Sequence, residues 1–215
     1  MDNVYDRIAE GWYGFRHRTI FKTELERLAA RWHNGRLLNV GCAHGPDFLP
    51  FREGFELHGI DLSARMLELA EKYAKKYDFS VQLTQGDARA LPCGDGSFDW
   101  AIAVATYHHI GEKAERLAAF KELYRVLKPG GEAFVTAWNR WQPRFWLKRR
   151  DLTVPWRSKG GTVERFYHLF TFGEMRKTAR AAGFTVLELF PEDRYRFPLK
   201  TFARNVCALV RKEVI

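Results

Sequence analysis

Cysteine is scarce in this chain. Cys42, Cys93 and Cys207 are far apart and odd in number. They make neither a Cys-x-x-Cys pair nor a disulfide framework, which points to a reducing, cytoplasmic setting. The same spacing argues against a zinc site within the chain. Long apolar runs are missing: none approaches the roughly 18 residues of a membrane span. The opening residues are not the basic-then-apolar start of a secretory signal. Repeats, low-complexity tracts and interdomain linkers are missing too. What remains is 215 residues, 46% of them hydrophobic, enough for a single domain over 1–215 with a substantial core.

Acidic residues are scarce in one region only. Residues 1–137 carry 18 Lys and Arg against 19 Asp and Glu (net −1), whereas residues 138–215 carry 17 against 7 (net +10). All the excess behind the formal charge of +9 therefore sits in the last third. A sequestered cationic region predicts an anionic partner, nucleic acid first.

The chain is organised around Leu37-Leu38-Asn39-Val40-Gly41-Cys42-Ala43-His44-Gly45. An apolar run stops at Gly41, a small-residue loop follows, and Pro46-Asp47 open a helix. This is the first strand, turn and helix of an open α/β sheet, where a ligand meets the strand's carboxyl end. Two phosphate-binding loops are excluded. A dinucleotide fingerprint counted from Gly41 needs glycines where Ala43 and Pro46 stand, and a P-loop needs Gly-Lys-Ser/Thr. Asp61 closes the next apolar run, Phe55 to Ile60, twenty residues after Gly41. A carboxylate there can accept from both hydroxyls of a ribose. A ribose without a pyrophosphate describes S-adenosylmethionine.

In chain order, Val4 to Ala9 opens as a helix, and Trp12, Tyr13 and Phe15 then interleave with Arg16, His17 and Arg18. This suits a lid in which Arg16 meets the cofactor's carboxylate in a two-pronged pair. Leu25, Leu28, Ala29 and Trp32 mark a second helix. Ser63 caps a third, with Met66, Leu67, Ala70, Ala74 and Tyr77 on one face; Met66 lies close enough to Asp61 to touch an adenosine. Phe79 to Gln85 alternates as a third strand, closed by Asp87, which is placed to accept from adenine's amine. Trp100 to Ala105 reads as a strand buried on both faces and runs into His108-His109. Neighbours on a strand point to opposite faces, so one histidine lines the pocket and the other packs, which sets aside a metal pair. The helix Glu112 to Leu127 stops at Lys128-Pro129-Gly130-Gly131, and Glu132 to Ala137 is the fifth strand. Thr171 and Glu174 form a capping box for a helix that ends at Gly183. Thr185 to Phe190 and Val206 to Arg211 are the sixth and seventh strands. The order predicts an α/β fold, a doubly wound, mostly parallel seven-stranded sheet.

Residues 138–170 break the rhythm. Trp138, Trp141, Trp146 and Trp156 sit among Arg140, Arg144, Lys148, Arg149, Arg150, Arg157 and Lys159. One reading is a surface helix with snorkelling cations. The preferred one is a substrate-recognition insertion that stacks on unpaired bases and neutralises phosphates.

VGCAHG, the strand-end Asp61, GDARALP and LKPGG together resemble a class I S-adenosylmethionine-dependent methyltransferase with its Rossmann-like fold. Val4 to Ala9 with Arg16, Val154-Pro155-Trp156, and Arg165 to Phe170 with Gly173-Glu174 narrow the resemblance. They are similar to the tRNA wobble-uridine carboxymethyl methyltransferases, a family that includes the methyltransferase domain of AlkB-type fused tRNA enzymes. Ala43, where that family has glycine, and the 192–205 segment depart from the pattern. The resemblance implies methyl transfer to the carboxylate of 5-carboxymethyluridine in the tRNA anticodon loop. It implies cofactor contacts at Arg16, Gly41, Cys42, Ala43, Gly45, Asp61, Leu62, Met66, Asp87, Ala88, Ala105 and His109. A carboxylate with a pKa of roughly 4 is already ionised at neutral pH, so no general base, triad or metal is required and catalysis rests on positioning. Arg16, Arg140, Arg165 and His168 are the candidates to hold the acceptor. The resemblance also implies a heterodimer with a small zinc-binding activator protein on the third-strand edge, where strand addition is favoured.

Two rivals share parts of this pattern. A quinone- or sterol-type C- or O-methyltransferase acting on a small molecule has every cofactor motif but no use for the cationic last third. A non-catalytic RNA-binding module would keep the cofactor only as an element of the fold. A dehydrogenase fits least, on the loop argument.

Overall fold

Leu37 and Leu38 are neighbours on one strand and end in different cores. The structure, a computed structural model, describes residues 3–158, 161–197 and 199–214. Its helices are α1 (Val4–Phe15), α2 (Lys22–Trp32), α3 (Ala64–Lys76), α4 (Lys113–Val126) and α5 (Phe172–Ala181). Its strands are β1 (Gly35–Val40), β2 (Phe55–Asp61), β3 (Gln82–Gln85), β4 (Phe98–Val104), β5 (Leu127–Trp138), β6 (Asp151–Ser158), β7 (Gly161–His168), β8 (Thr185–Pro191) and β9 (Asn205–Arg211). Seven of them form one sheet in the order β3-β2-β1-β4-β5-β9-β8, parallel except for β9.

The alternation of strand side chains separates the two cores. On one face Leu38, Val40, Ala101, Ala103 and Val135 pack on α4 and α5 through Phe120, Leu123 and Met175. On the other, Leu37, Leu57, Ile102 and Phe134 meet Leu25 and Trp32 of α2. Glu132 ties α2 to the middle of the sheet: it is 5% exposed and accepts from Arg31 Nε (2.8 Å), Arg31 Nη2 (2.7 Å) and Trp32 Nε1 (2.9 Å). β1 lies between β2 and β4, so the chain leaves it in opposite directions and a crevice opens at its carboxyl end. No helix among the described residues is long and apolar enough to cross a membrane.

Four details differ from the sequence reading. The helix expected from Pro46 is a six-residue 3-10 turn, Pro46–Phe51, which contains Pro50 and so lacks a donor for an α-helix. β3 starts at Gln82 rather than Phe79, because the Phe79 N–H is spent on the Ala74 carbonyl at 3.1 Å. β5 begins directly at Leu127, with no loop between helix and strand. Residues 138–170 hold no long helix: β6 and β7 form a separate antiparallel hairpin. Lys159, counted among the cations of this insertion, lies outside the described residues.

Candidate active site

A cavity of about 270 Å³ opens at the carboxyl ends of β1, β2 and β4. Its floor is the loop after β1. Gly41 has φ +69°, and a Cβ there would sit 2.4 Å from Thr106 Cγ2. Thr106 itself donates to the Val40 carbonyl at 3.0 Å, which closes β1 on β4 and leaves room only for glycine. Asp61 holds the loop's shape. Its Oδ2 accepts from the Ala43 N–H at 2.8 Å and its Oδ1 from the Ser63 N–H at 2.9 Å. Each oxygen keeps a second acceptor site. Burial pushes the Asp61 carboxyl up to about 6, against those two hydrogen bonds.

Ala43 adopts φ +48°, in the left-handed region that costs a residue with a Cβ about 1–2 kcal/mol. Ala43→Gly is therefore expected to raise stability by about 0.5–1 kcal/mol, the relief being partly offset by glycine's larger unfolded-state entropy. Chemical denaturation of the two proteins checks this; a destabilised glycine variant would contradict it.

The roof comes from α1 and the hairpin. Tyr5, Ile8 and Trp12 of α1 line the cavity together with Arg16, which caps that helix, and Arg165 of β7. Gly11 lets the hairpin seat on α1, since a Cβ there would come within 3.3 Å of Trp156 Nε1. Arg165 is 6% exposed. Its guanidinium lies 5.3–5.5 Å from the rings of Trp12, Trp156 and Tyr167. Among the described residues no carboxylate pairs with it, and its Nε has no partner. Arg16 rests over Trp12 at 4.8 Å. Burial lowers its pKa, and nearby Asp47 works against that shift.

Of the expected cofactor residues, Arg16, Gly41, Cys42, Ala43, Asp61, Leu62, Met66, Asp87, Ala88, Ala105 and His109 all line this cavity. Gly45 does not; it turns the chain at φ +88° ahead of the 3-10 turn. Asp87 lines the cavity, but its carboxylate is engaged by Arg89 at 2.6 and 3.0 Å, and that pairing holds its pKa down. His108 and His109 divide as expected, one packed and one lining, though by a different route. They sit in a 3-10 turn, Tyr107–His109, with ring centroids 4.4 Å apart. His109 Nδ1 donates to the Phe166 carbonyl at 3.0 Å, and burial lowers its pKa to about 4. Among the described residues no group of three or more His, Cys, Asp or Glu could hold a metal ion.

The acceptor candidates divide. Arg16 and Arg165 reach the cavity, and Arg140 and His168 do not. Arg140 donates to the Phe145 carbonyl and lies over Trp141 at 5.2 Å. His168 meets Asp151 Oδ1 at 2.5 Å through Nδ1 and Glu174 Oε1 at 2.9 Å through Nε2, so both ring nitrogens are used in tying the hairpin's base to α5. This also draws the Glu174 carboxylate away from the capping box, of which only the Thr171 half forms, at 3.1 Å.

His44 was not singled out by sequence reasoning. It is fully buried, and its Nε2 donates to the Arg16 carbonyl at 2.5 Å. Tyr73 donates to the next carbonyl, of His17, at 2.6 Å. Together they fasten the end of α1 over the loop, by bonds to backbone atoms that no side-chain pattern announces.

The donor set fits S-adenosylmethionine: acceptor sites on a buried acid for a ribose, a loop with no room for a side chain at Gly41, and a cation on the lid. Residues 37–131 match the methyltransferase domain family. The chain is 28% identical over 169 residues to a putative methyltransferase of Encephalitozoon cuniculi, covering 75% of each. It is 30% identical over 138 residues to tRNA (carboxymethyluridine(34)-5-O)-methyltransferase ALKBH8 of Macaca fascicularis, covering 64% of this chain but only 20% of that protein. An S-adenosylmethionine-dependent methyltransferase from Clostridium acetobutylicum shares its fold with a TM-score of 0.77 at 15% identity, over 99% of this chain and 100% of that one. The fold is also that of a structure of the Haloferax volcanii Trm112 methyltransferase activator in complex with a putative methyltransferase, with a TM-score of 0.69 at 17% identity over 100% of both chains. Over residues 37–131 the chain thus matches the methyltransferase domain family, and its fold is that of S-adenosylmethionine-dependent methyltransferases.

Proposed function

We propose that the protein esterifies the carboxylate of 5-carboxymethyluridine at the tRNA wobble position, within one domain over 1–215 that acts in the cytoplasm. The observation that carries this reading is Arg165, a buried guanidinium facing the cavity with no carboxylate partner among the described residues. A buried cation is costly unless something anionic completes it, and the flat fork of arginine suits a carboxylate.

S-adenosylmethionine, when bound, supplies an electrophilic methyl group. The rest falls to the chain. Asp61 would hold the ribose hydroxyls, Arg16 the cofactor's carboxylate and Met66 the adenosine. Trp12 and Trp156, packed at 5.3 Å between centroids, exclude water from the roof. An ionised acceptor needs no base, and His109, with its pKa lowered to about 4, is a poor one at neutral pH. Arg165 orients the acceptor. The tRNA carboxymethyluridine methyltransferase among the relatives supports the tRNA reading.

We also infer a small zinc-binding activator on β3. That strand lies at the sheet edge with one row of backbone groups open to strand addition, and the activator complex of similar fold supports the idea. Methylation of bulk tRNA, assayed with and without such an activator over a series of salt concentrations, tests the whole reading. The expected result is transfer that needs the activator and falls steeply with ionic strength, because phosphate contacts release counterions. Salt-independent transfer to a small or lipid acceptor would favour the quinone- or sterol-type rival.

A further inference from the structure

Two segments far apart in sequence meet beside the roof. Residues 139–150 follow β5, and residues 192–197 and 199–204 lie between β8 and β9. Asn139, fully buried, joins them. Its Nδ2 donates to the carbonyls of Thr201 at 2.7 Å and Ala203 at 2.8 Å, and its backbone N–H to that of Arg204 at 2.9 Å. Gln142 Nε2 adds a bond to the Arg204 carbonyl at 3.1 Å. Trp146 packs on Phe202 at 5.6 Å between centroids. The seam is thus specific and polar, and the two segments behave as one body.

The outer face of that body is unusual. Eight large hydrophobic side chains are exposed among the described residues, and five of them, Trp141, Trp146, Leu147, Phe197 and Leu199, lie here. Scattered exposure needs no explanation, but concentration marks an interaction surface. Arg144, Lys148, Arg149, Arg194, Lys200 and Arg204 are exposed on the same two segments. Their two acids do not neutralise this charge. Glu192 is buried and accepts from the N–H groups of Arg204 at 3.1 Å and Asn205 at 2.8 Å. Asp193 faces Arg196 at 4.0 Å. The face also runs continuously into the cavity. Arg144 lies 6.0 Å over Trp138, Trp138 stacks on Tyr167 at 4.3 Å, and Tyr167 contacts the cavity's Arg165.

We propose that these two segments form a single docking platform for RNA beyond the reacting nucleotide, with cations on phosphates and exposed rings on unpaired bases. The proposal rests on the tRNA reading above and adds the surface that the 192–204 residues complete. Charge complementarity favours a polyanion. A membrane surface is disfavoured because rings and cations are interleaved here, whereas an interfacial element segregates them into an apolar and a charged side.

Two double variants test the composite. Lys148→Gln/Arg149→Gln alters the first segment and Arg194→Gln/Arg204→Gln the second. Dissociation constants for full-length tRNA and for a short anticodon-loop fragment are measured by filter binding from 50 to 200 mM salt, with thermal midpoints as the control for folding. Each pair is expected to weaken full-length tRNA about tenfold and to flatten its salt slope by between 1 and 2, in keeping with the loss of about two phosphate contacts. The fragment should lose less. Wild-type affinity in the second pair would overturn the composite platform. So would variants that keep tRNA binding and instead lose flotation with phosphatidylglycerol vesicles. A wild-type protein whose tRNA affinity depends on both pairs, but which methylates no nucleoside of that tRNA, would support the platform and overturn the function assigned above.

Discussion

Replacing Arg165 with alanine is expected to lower methyl transfer to tRNA by about two to three orders of magnitude while leaving cofactor affinity within about threefold of wild type. The magnitude follows from what truncating one side of a buried, hydrogen-bonded charge pair costs, about 2–5 kcal/mol. The selectivity follows from geometry. Arg165 reaches the cavity from β7 in the roof, held between Trp12, Trp156 and Tyr167, whereas Asp61 rises from β2 in the floor. Lysine at 165 should recover part of the activity, since it keeps the charge but neither the fork nor the stacking plane. The same site should bind an uncharged ester or amide less tightly than the carboxylate, which favours release of an ester product. Acceptor methylation and calorimetric cofactor titration of the same variants check both halves. Equal loss of both would make Arg165 a structural residue.

The second large effect concerns Asp61. Cofactor affinity is expected to be flat from pH 7 to 9 and to weaken as pH falls through about 6, by about tenfold for each further unit. The protonated carboxyl loses acceptor strength toward the ribose, and burial places its titration at about 6. Asp61→Ala should cost about 100-fold in affinity, the loss of two hydrogen bonds to a charged group. Stability runs the other way. The folded pKa lies above the unfolded value of about 4, so the ionised, buried carboxylate penalises the free protein. The stabilisation relative to that state is fully present below about pH 4 and is lost as pH rises through about 6. The difference in unfolding free energy between wild type and Asp61→Ala should therefore shift in favour of wild type by ~2 kcal/mol from pH 7 to pH 4. A cofactor affinity that stays constant down to pH 5 would remove Asp61 from the binding role.

The floor of the site was legible in the sequence because it is local. Gly41 is needed where β1 meets Thr106, Ser63 caps α3 by accepting from the Met66 N–H at 3.0 Å, and Asp61 follows from where an apolar run stops. The roof was harder to read because it is made by long-range packing. Leu152, Val154 and Trp156 alternate against Val163, Arg165 and Tyr167 across a Gly-Gly dipeptide, which is a hairpin signal, but residues 138–170 were read as a base-stacking insertion, with a surface helix as the other reading, and no strands were expected there. Trp138 and Trp156 accordingly turned inward, on Tyr167 and Trp12, and only Trp141 and Trp146 remained exposed. That His168 would lie away from the cavity was not legible, because its two carboxylate partners come from β6 and α5 and neither is adjacent in sequence.

The most direct measurement is nucleoside mass spectrometry of tRNA carrying 5-carboxymethyluridine after incubation with methyl-labelled cofactor and the protein. The account predicts one labelled methyl on the wobble uridine's side chain, released by mild alkali as an ester must be. Label that resists alkali, on a base ring or ribose, or tRNA left unlabelled while a small molecule takes the methyl, would contradict it.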